Sequence, residues 1–379
     1  MVELGTLIHQ AKTVRCGEGN YPVLSMTMHD GLVFQNDKFK KTIASKDKSD
    51  YKVVKRNQLV ISFPIDEGVL AAQRIVDAGI VSPAYGIWDI NQEMILPEFL
   101  ECALRCDRAL SYYKAKLRGS TARRRSLPTE TLLAYTVPLP DISEQEHILN
   151  VVHKTQKVIS SRTKEISLLD ELVKARFVEM FGDPVSNPHN FEKVALSDLA
   201  DIKIGPFGSL LHKEDYIEGG HALVNPSHII DGKVVIDNKL TVSDEKYAEL
   251  SADHLQVGDV VLGRRGEMGR CAVVSDHGLL CGTGSLLIRS KGEVTADYIQ
   301  KIISFPSFKK TIEDMAVGQT MPNLNVPIVS NFQIIKPPIQ VQKDYYTFVE
   351  QADKSKAAVQ KALDEAQLLF DSLMQKYFG

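Results

Sequence analysis

The chain has 379 residues, of which 44% are apolar and 25% charged, and its net charge is −3. These values are typical of a globular protein with two or three domains, and no apolar run is long enough for a transmembrane helix or a secretory signal. Because residues 1–140 carry a charge of +4 and residues 183–338 a charge of −5, any nucleic-acid surface must be a local patch.

The sequence repeats itself after about 200 residues. Residues 177–182 read Phe-Val-Glu-Met-Phe-Gly and residues 374–379 read Met-Gln-Lys-Tyr-Phe-Gly. Further stretches align at nearly the same offset, including Gly119-Ser-Thr with Gly318-Gln-Thr. Two copies of so long a unit do not make a solenoid. The repeat predicts two similar halves related by pseudo-twofold symmetry.

The first part of each repeat predicts a mixed α+β globular domain. Residues 53–63 and 255–263 are β-rich runs in equivalent places, with Gly and Asp-Gly turns nearby. Residues 98–116 and 297–314 follow as helical stretches. Pro138-Leu-Pro140 and Lys336-Pro-Pro338 then favour an extended segment before the next element.

The last forty residues of each repeat predict a long helix with a heptad seam. Residues 143–181 and 340–378 contain neither Pro nor Gly. Seam positions alternate in steps of four and three, and those of the second copy lie 197 residues after those of the first. Thr155, Arg162, Arg176 and Lys356 are polar seam positions. The apolar ones include Ile148, Val152, Ile159, Ile166, Leu169 and Val173 in the first helix, and Val349, Val359, Leu363, Phe370 and Leu373 in the second.

Such helices could pair with each other as an antiparallel coiled coil, or each could pack only on its own domain. A globular core rarely requires five regular heptads, which favours the coiled coil. The predicted order is a globular domain over 1–140, a helix over 141–182, a second domain over 183–338 and a second helix over 339–379.

The sequence contains no motif that indicates catalysis. We find no phosphate-binding loop, no dinucleotide fingerprint, no zinc-protease motif and no nucleophile elbow. The five cysteines are scattered without a paired knuckle, so buried apolar thiols in a reduced cytoplasmic protein are expected, not metal ligands. We therefore expect a binding protein with no catalytic residue, metal or cofactor of its own.

Three loops are candidates for binding. Gly205-Pro-Phe-Gly-Ser209 could present amides to a phosphate, or could simply connect two strands. Arg264-Arg-Gly-Glu-Met-Gly-Arg270 could contact phosphates and guanine edges, or could be a solvated hairpin tip. The basic run around Gly119 aligns with the amide and hydroxyl residues near Gly318, which favours a binding role over a solvated face. The candidates are Lys116, Arg118, Ser120, Thr121, Arg123, Arg124, Arg125, Ser209, Lys213, Arg264, Arg265, Arg270, Gln319, Thr320 and Asn323.

These motifs together resemble those of the specificity subunits of type I restriction–modification systems. The Gly-x-Thr stretch leads into Pro138-Leu-Pro-x-Ile-x-Glu-Gln-x-x-Ile148 and a long heptad helix, and the Gly-Pro-Phe-Gly-Ser turn and the arginine loop accompany it. The resemblance covers essentially the whole chain.

The resemblance implies two target recognition domains that each read half of a bipartite target in double-stranded DNA. It implies that the helices act as a ruler and dock two methyltransferase subunits, which restriction subunits then join. S-adenosylmethionine, ATP and Mg would be bound by those partners, and neither membrane nor catalytic activity is expected of this chain. The alternative is a coiled-coil scaffold whose globular domains bind protein.

Two departures from the family pattern stand out. The second copy reads Lys336-Pro-Pro-Ile-Gln-Val-Gln342, without the Glu-Gln pair. Phe63-Pro64-Ile65 stands in the first copy at the offset of the arginine loop. We therefore do not expect the two halves to contact DNA in the same way.

Overall fold

The protein, seen in a computed structural model, divides into two units. Unit 1 consists of Met1–Glu165 and Val359–Gly379, and unit 2 of Ile166–Ala358. The residues described are 1–28, 30–38, 47–117, 127–206, 210–316 and 323–379. The division differs from the predicted series of four segments, because each long helix contributes to both units.

Unit 1 combines short antiparallel strands with helices. The strands are β1 (Val2–Glu3), β2 (Ile8–Gln10), β3 (Leu24–Thr27), β4 (Gly31–Phe34), β5 (Lys52–Lys55), β6 (Leu59–Ile61), β7 (Leu70–Ala72), β8 (Ala78–Val81), β9 (Gly86–Ile90) and β10 (Thr136–Val137). The helices are α1 (Gln35–Lys38), α2 (Pro97–Arg105), α3 (Asp107–Lys116), α4 (Thr129–Leu133) and the first part of α5 (Ile142–Phe181).

The main sheet of unit 1 has the order β2-β9-β6-β7, and α2 covers it. Phe99, Leu100, Ala103 and Leu104 of α2 are buried because their spacing puts them on one helix face. The β-rich run 53–63 forms two strands instead of one, since Asn57 takes a left-handed conformation between them (φ 66°).

Unit 2 contains a similar set of elements. Its strands are β11 (Glu192–Ala195), β12 (Ala200–Ile204), β13 (Tyr216–Ile217), β14 (His221–Val224), β15 (Ile229–Ile230), β16 (Lys233–Val234), β17 (Thr241–Val242), β18 (Val260–Gly263), β19 (Cys271–Val273), β20 (Leu280–Cys281), β21 (Ser285–Ser290) and β22 (Gln333–Lys336). Its helices are α6 (Leu196–Leu199), α7 (Asp244–Glu249), α8 (Ala296–Ile303), α9 (Pro306–Ala316), α10 (Val326–Ser330) and the first part of α11 (Ile339–Phe378).

The same strand order occurs in both main sheets. The order β12-β21-β18-β19 in unit 2 matches β2-β9-β6-β7 in unit 1, and the pair β11-β22 matches β1-β10. In both units two consecutive helices follow the sheet, and each predicted single helix is therefore two: α2 and α3 separate at Cys106, whose backbone is extended. The two sheets thus place equivalent loops at equivalent edges.

The long helices α5 and α11 pack both on the globular cores and on each other. In unit 2, Phe177 and Phe181 of α5 are fully buried, and Tyr345 of α11 packs edge-on against both rings. Lys356 of α11 forms an ion pair with Asp170 of α5 (2.6 Å). In unit 1, the ring of Phe378 lies 4.9 Å from that of Phe99 in the core.

The apolar seam positions are buried or half-buried along both helices. Ile148 and Val152 are buried, whereas Ile159, Ile166, Leu169 and Val173 are half-buried, as are Val349, Val359, Leu363, Phe370 and Leu373. Arg162, which the heptad pattern places in the seam, is exposed instead and pairs with Glu165 one turn away (2.6 Å).

A buried glutamine holds the first turn of each long helix against its unit. In α5, Gln145 Oε1 accepts a hydrogen bond from the Leu96 amide (2.8 Å), and Nε2 donates to the carbonyls of Met94 (3.0 Å) and Pro140 (2.8 Å). In α11, Gln342 accepts from the Thr295 amide (2.9 Å) and donates to the carbonyls of Pro337 (2.9 Å) and Glu293 (3.4 Å). The second copy thus keeps the glutamine although it lacks the Glu-Gln pair.

The two cysteines of unit 2 are buried, and this burial predicts that their thiols react slowly with alkylating agents. Burial raises the pKa of the Cys271 thiol to about 12 and also raises the pKa of Cys281. Both thiols therefore stay protonated at pH 8, and alkylation needs the thiolate. We expect iodoacetamide to modify Cys271 and Cys281 at least about 100-fold more slowly in the native protein than in urea.

Mass spectrometry of peptides after timed alkylation measures these rates. The matched control is the urea-unfolded chain at the same pH, in which both thiols react as free cysteine does. Fast labelling of Cys271 in the native protein would contradict its burial.

Two observations concern the membrane segments and metal sites that were considered from the sequence. Among the helices in the described ranges, none has the length and apolar character that a membrane span requires. Over the same ranges, no cluster of His, Cys, Asp or Glu side chains has the arrangement of a metal site.

Candidate nucleic-acid interface

In unit 2, several loops meet at one edge of the main sheet. Ile204 at the end of β12 pairs with Leu286, and Gly263 at the end of β18 pairs with Ser285. Because these strands are antiparallel to β21, the segments after β12, after β18 and before β21 all lie at this edge. We call it the unit 2 edge.

Glycines allow these segments to approach closely. A Cβ atom on Gly205 would lie 2.2 Å from the Gly282 carbonyl oxygen, and one on Gly282 would lie 2.3 Å from Asn225 Oδ1. No other residue fits at either position without moving backbone. Gly205-Pro206 therefore lies directly against residues 282–284, whereas Ser209 in the same turn lies outside the described residues.

Arg264 is fixed at the centre of this edge. Its amide donates to the Gly284 carbonyl (2.9 Å), and its carbonyl accepts from the Leu324 amide (2.9 Å). The side chain folds back, and Nε donates to the Leu324 carbonyl (2.9 Å). Partial burial and the neighbouring Arg265 lower the pKa of Arg264. Arg264 and Arg265 together concentrate positive charge at this edge.

Arg265 is the exposed cation of the pair. Its side chain is exposed, and it makes no hydrogen bond or ion pair with any residue that the structure describes. Gly266, directly after it, turns the chain with a φ of +84°. A guanidinium that is unpaired on a rigid backbone can donate in a fork to a phosphate or to a guanine edge.

Arg270 has a different environment from its two neighbours in the loop. Its Nη2 donates to Glu267 (2.9 Å), which also binds Lys309 (2.8 Å) and whose pKa is lowered by these hydrogen bonds. Met268 between them is buried in the core of unit 2. The loop is therefore anchored through Met268 and these ion pairs, although residues 265–267 are exposed, and the Arg270 side chain belongs to the ion-pair network.

The other candidates of unit 2 are placed as follows. Asn323 directly precedes Leu324 at the same edge, and its buried Oδ1 accepts no hydrogen bond from the described residues. Lys213 is exposed in the turn before β13, and within the described ranges nothing links it to Arg264 or Arg265. The structure thus brings together Arg264, Arg265 and Asn323. Arg270 lies beside them, since its carbonyl accepts from the Gly263 amide (2.8 Å), but its side chain is engaged by Glu267. Lys213 does not join this group.

Most of the basic run of unit 1 cannot be placed. Lys116 is exposed at the last residue of α3, where a cation also complements the helix dipole. The remaining candidates fall outside the described residues, and these are Arg118, Ser120, Thr121, Arg123, Arg124 and Arg125 in unit 1 and Gln319 and Thr320 in unit 2.

The equivalent edge of unit 1 differs in chemistry. Ile61 at the end of β6 pairs with Gly86 at the start of β9, as Gly263 pairs with Ser285 in unit 2. The residue after Ser62 is Phe63, whose side chain is 54% exposed. Phe63 borders a cavity of about 160 Å³ whose apolar walls are Ile61, Ile65, Trp88, Leu127 and Leu132. The sequence showed only that Phe63 stands at the offset of the arginine loop. The edge itself is defined by the pairing of the strands, which the sequence does not show.

Comparison with known proteins supports the fold. Residues 188–367 match the family described as type I restriction modification DNA specificity domain. The chain contains this specificity domain. The match includes the whole unit 2 edge, and the resemblance to specificity subunits that the sequence motifs indicated is confirmed.

One curated relative is the type I restriction enzyme MjaVIII specificity subunit of Methanocaldococcus jannaschii, 20% identical over 229 residues. The alignment covers 55% of this chain and 52% of the relative, so the chain spans about half the length of that protein.

Solved structures of specificity subunits share the fold over the full chain. The HsdS subunit of Thermoanaerobacter tengcongensis matches with a TM-score of 0.55 at 16% identity, covering 100% of this chain and 96% of its own. The type I S subunit of M. genitalium matches with a TM-score of 0.55 at 14% identity, with coverages of 100% and 95%. A chain from a structure of type I restriction–modification complex assembly reaches 0.62 at 16% identity, with coverages of 100% and 96%.

Proposed function

We propose that this chain is the DNA sequence-recognition subunit of a type I restriction–modification complex. In this proposal each globular domain reads one half of a bipartite target in double-stranded DNA. The observation that carries it is the unit 2 edge, where Arg264 is held by backbone hydrogen bonds and Arg265 stands exposed beside it. That edge lies within the segment that matches the specificity domain.

The proposal assigns all chemistry to partner subunits. Methyltransferase subunits would bind S-adenosylmethionine, and restriction subunits would bind ATP and Mg for cleavage. This chain would position them on DNA. The rigidity of the unit 2 edge supports such a role, because reading bases requires side chains held in fixed positions.

The long helices would pair as an antiparallel coiled coil that separates the two recognition domains and docks two methyltransferase subunits. The contacts of Tyr345 and Lys356 with α5 support the pairing within unit 2. Leu168 and Leu172, one turn apart on α5, are 52% and 49% exposed. Exposed leucines at this spacing suit a helix or groove of a protein partner.

Replacing Arg265 by alanine tests the DNA-binding proposal. We expect the chain, assembled with its methyltransferase partner, to bind target DNA about tenfold more weakly. If Arg265 contacts a phosphate, the slope of log affinity against log salt should fall by about one; if it contacts a base edge, discrimination at that base should fall instead. Fluorescence anisotropy across a salt series measures both quantities.

Two variants serve as controls. Arg270→Ala should change affinity less than Arg265→Ala, because Glu267 already pairs with that arginine. Arg56→Ala removes an exposed arginine of unit 1 that pairs with Asp77 and should leave binding unchanged. Protein binding by a scaffold would lack a steep salt dependence, so a flat slope for the wild-type complex would contradict the proposal.

A further inference from the structure

The apolar edge of unit 1 assigns a specificity role to Phe63. Strand β6, which corresponds to β18, ends at Ile61, so Phe63 stands where unit 2 has Arg265. Phe63 is 54% exposed and borders an apolar cavity, so its ring is accessible to a ligand at this edge. The inference rests on the proposed function, since it concerns how the first domain reads its half-site.

The cavity beside Phe63 is too small for a cofactor. Its volume of about 160 Å³ is below the ~300–1,000 Å³ of small-molecule pockets. Its walls are mostly apolar, with Ile61, Trp88 and Leu132 among them. Ser62 and Thr129 also line it, but no charged side chain does, so a charged group would lose hydration there without gaining a counter-charge. The occupant that fits is a small apolar group.

Lys116 lies across the short helix α4 from this cavity. The short helix α4 contributes Thr129 and Leu132 to the cavity and Glu130 and Thr131 to the surface beside Lys116. Lys116 and the cavity therefore lie on different faces of one helix, about one helix diameter (~10 Å) apart. An apolar contact flanked by a cation matches the floor of the DNA major groove next to its phosphates.

The apolar group that duplex DNA displays in the major groove is the 5-methyl of thymine. We infer that Phe63 and its cavity bind a thymine methyl group and thereby select a thymine in the first half-site. The two units would then read DNA by different chemistry: methyl contact in unit 1 and guanidinium hydrogen bonds in unit 2.

The experiment combines a protein change with a base change. The two half-sites are first obtained by mapping methylated adenines in a host that expresses the chain with its methyltransferase partner. Each thymine on either strand is then replaced in turn by deoxyuridine, which removes only the methyl group. Affinities are measured for complexes carrying wild-type chain, Phe63→Ala, Phe63→Leu and Met94→Ala. Met94 is an exposed apolar residue of unit 1 outside the cavity (38% exposed).

We expect the effects of the Phe63 change and of the deoxyuridine change on affinity to be non-additive at one thymine of one half-site. Deoxyuridine there should weaken wild-type binding about fourfold, the value of burying one methyl group. Phe63→Ala should bind the thymine target about fourfold more weakly and be indifferent to deoxyuridine at that position. Phe63→Leu should keep part of the sensitivity, and Met94→Ala all of it. The coupled half-site should differ from the one affected by Arg265→Ala.

Two negative results are distinguishable. Wild-type complex that binds its target specifically but tolerates deoxyuridine everywhere overturns the role of Phe63, as does equal sensitivity in Phe63→Ala. Both leave the proposed function standing. A wild-type complex with no specific DNA affinity overturns the proposed function as well.

Discussion

Replacing Gln145 or Gln342 by leucine is expected to lower the free energy of unfolding of the unit concerned by about 3 kcal/mol. Both side chains are fully buried, and each joins one amide and two carbonyls at the start of a long helix. Leucine is similar in volume, so little cavity forms. It leaves one amide and two carbonyls, most of them partly buried, without this partner, and each costs up to about 1–3 kcal/mol before relaxation.

Urea unfolding followed by far-ultraviolet circular dichroism measures the loss, and hydrogen exchange locates it. Gln145→Leu should raise exchange in unit 1, and Gln342→Leu in unit 2. Gln360→Leu is the matched control, because Gln360 is an exposed glutamine of α11 that binds only Asp364 one turn away. A loss below about 1 kcal/mol in both core variants would show that these glutamines do not fix the helices.

Arg289→Ala is expected to destabilise unit 2 by about 3 kcal/mol. Asp259 is 2% exposed, and Arg289 holds both of its carboxylate oxygens, with Nε at 2.8 Å and Nη2 at 2.7 Å. This hydrogen bonding raises the pKa of Arg289. Removing the arginine leaves a buried carboxylate without its cation, which is far more costly than losing an exposed pair.

The double variant Arg289→Ala with Asp259→Asn separates the effect of the unpaired charge from the effect of lost packing. It should recover part of the lost stability, because the amide needs no cation. Arg162→Ala, which removes an exposed pair with Glu165, should cost under about 0.5 kcal/mol. Thermal and urea unfolding would measure all four proteins. If the double variant is no more stable than Arg289→Ala, then packing and not charge dominates at this site.

The long helices are features that the sequence predicted closely. Their signals are local: residues 143–181 and 340–378 lack Pro and Gly, and the helices run from Ile142 to Phe181 and from Ile339 to Phe378. Gly182, with a φ of +72°, follows the first of them. Local signals of this kind determine helix limits almost without reference to the rest of the chain.

The roles of the arginines could not be predicted in the same way. Arg265 and Arg270 lie in one short loop and differ in environment because Glu267, which also pairs with Lys309, pairs only with Arg270. Lys309 is 42 residues from Glu267 in sequence, so no local pattern shows the pairing. The Glu-Gln pair gives a related lesson: it is absent from the second copy, yet Gln342 makes the same kinds of hydrogen bonds as Gln145.

The position of Phe378 in unit 1 has a consequence for synthesis. Unit 2 is one continuous stretch, Ile166–Ala358, whereas unit 1 also needs Val359–Gly379. A ribosome delivers the chain from its first residue onward. All of unit 2 has therefore left the ribosome before the Phe378 ring can close the core around Phe99. Unit 1 is therefore begun first and completed last, and a nascent chain can complete unit 1 only when translation has passed unit 2.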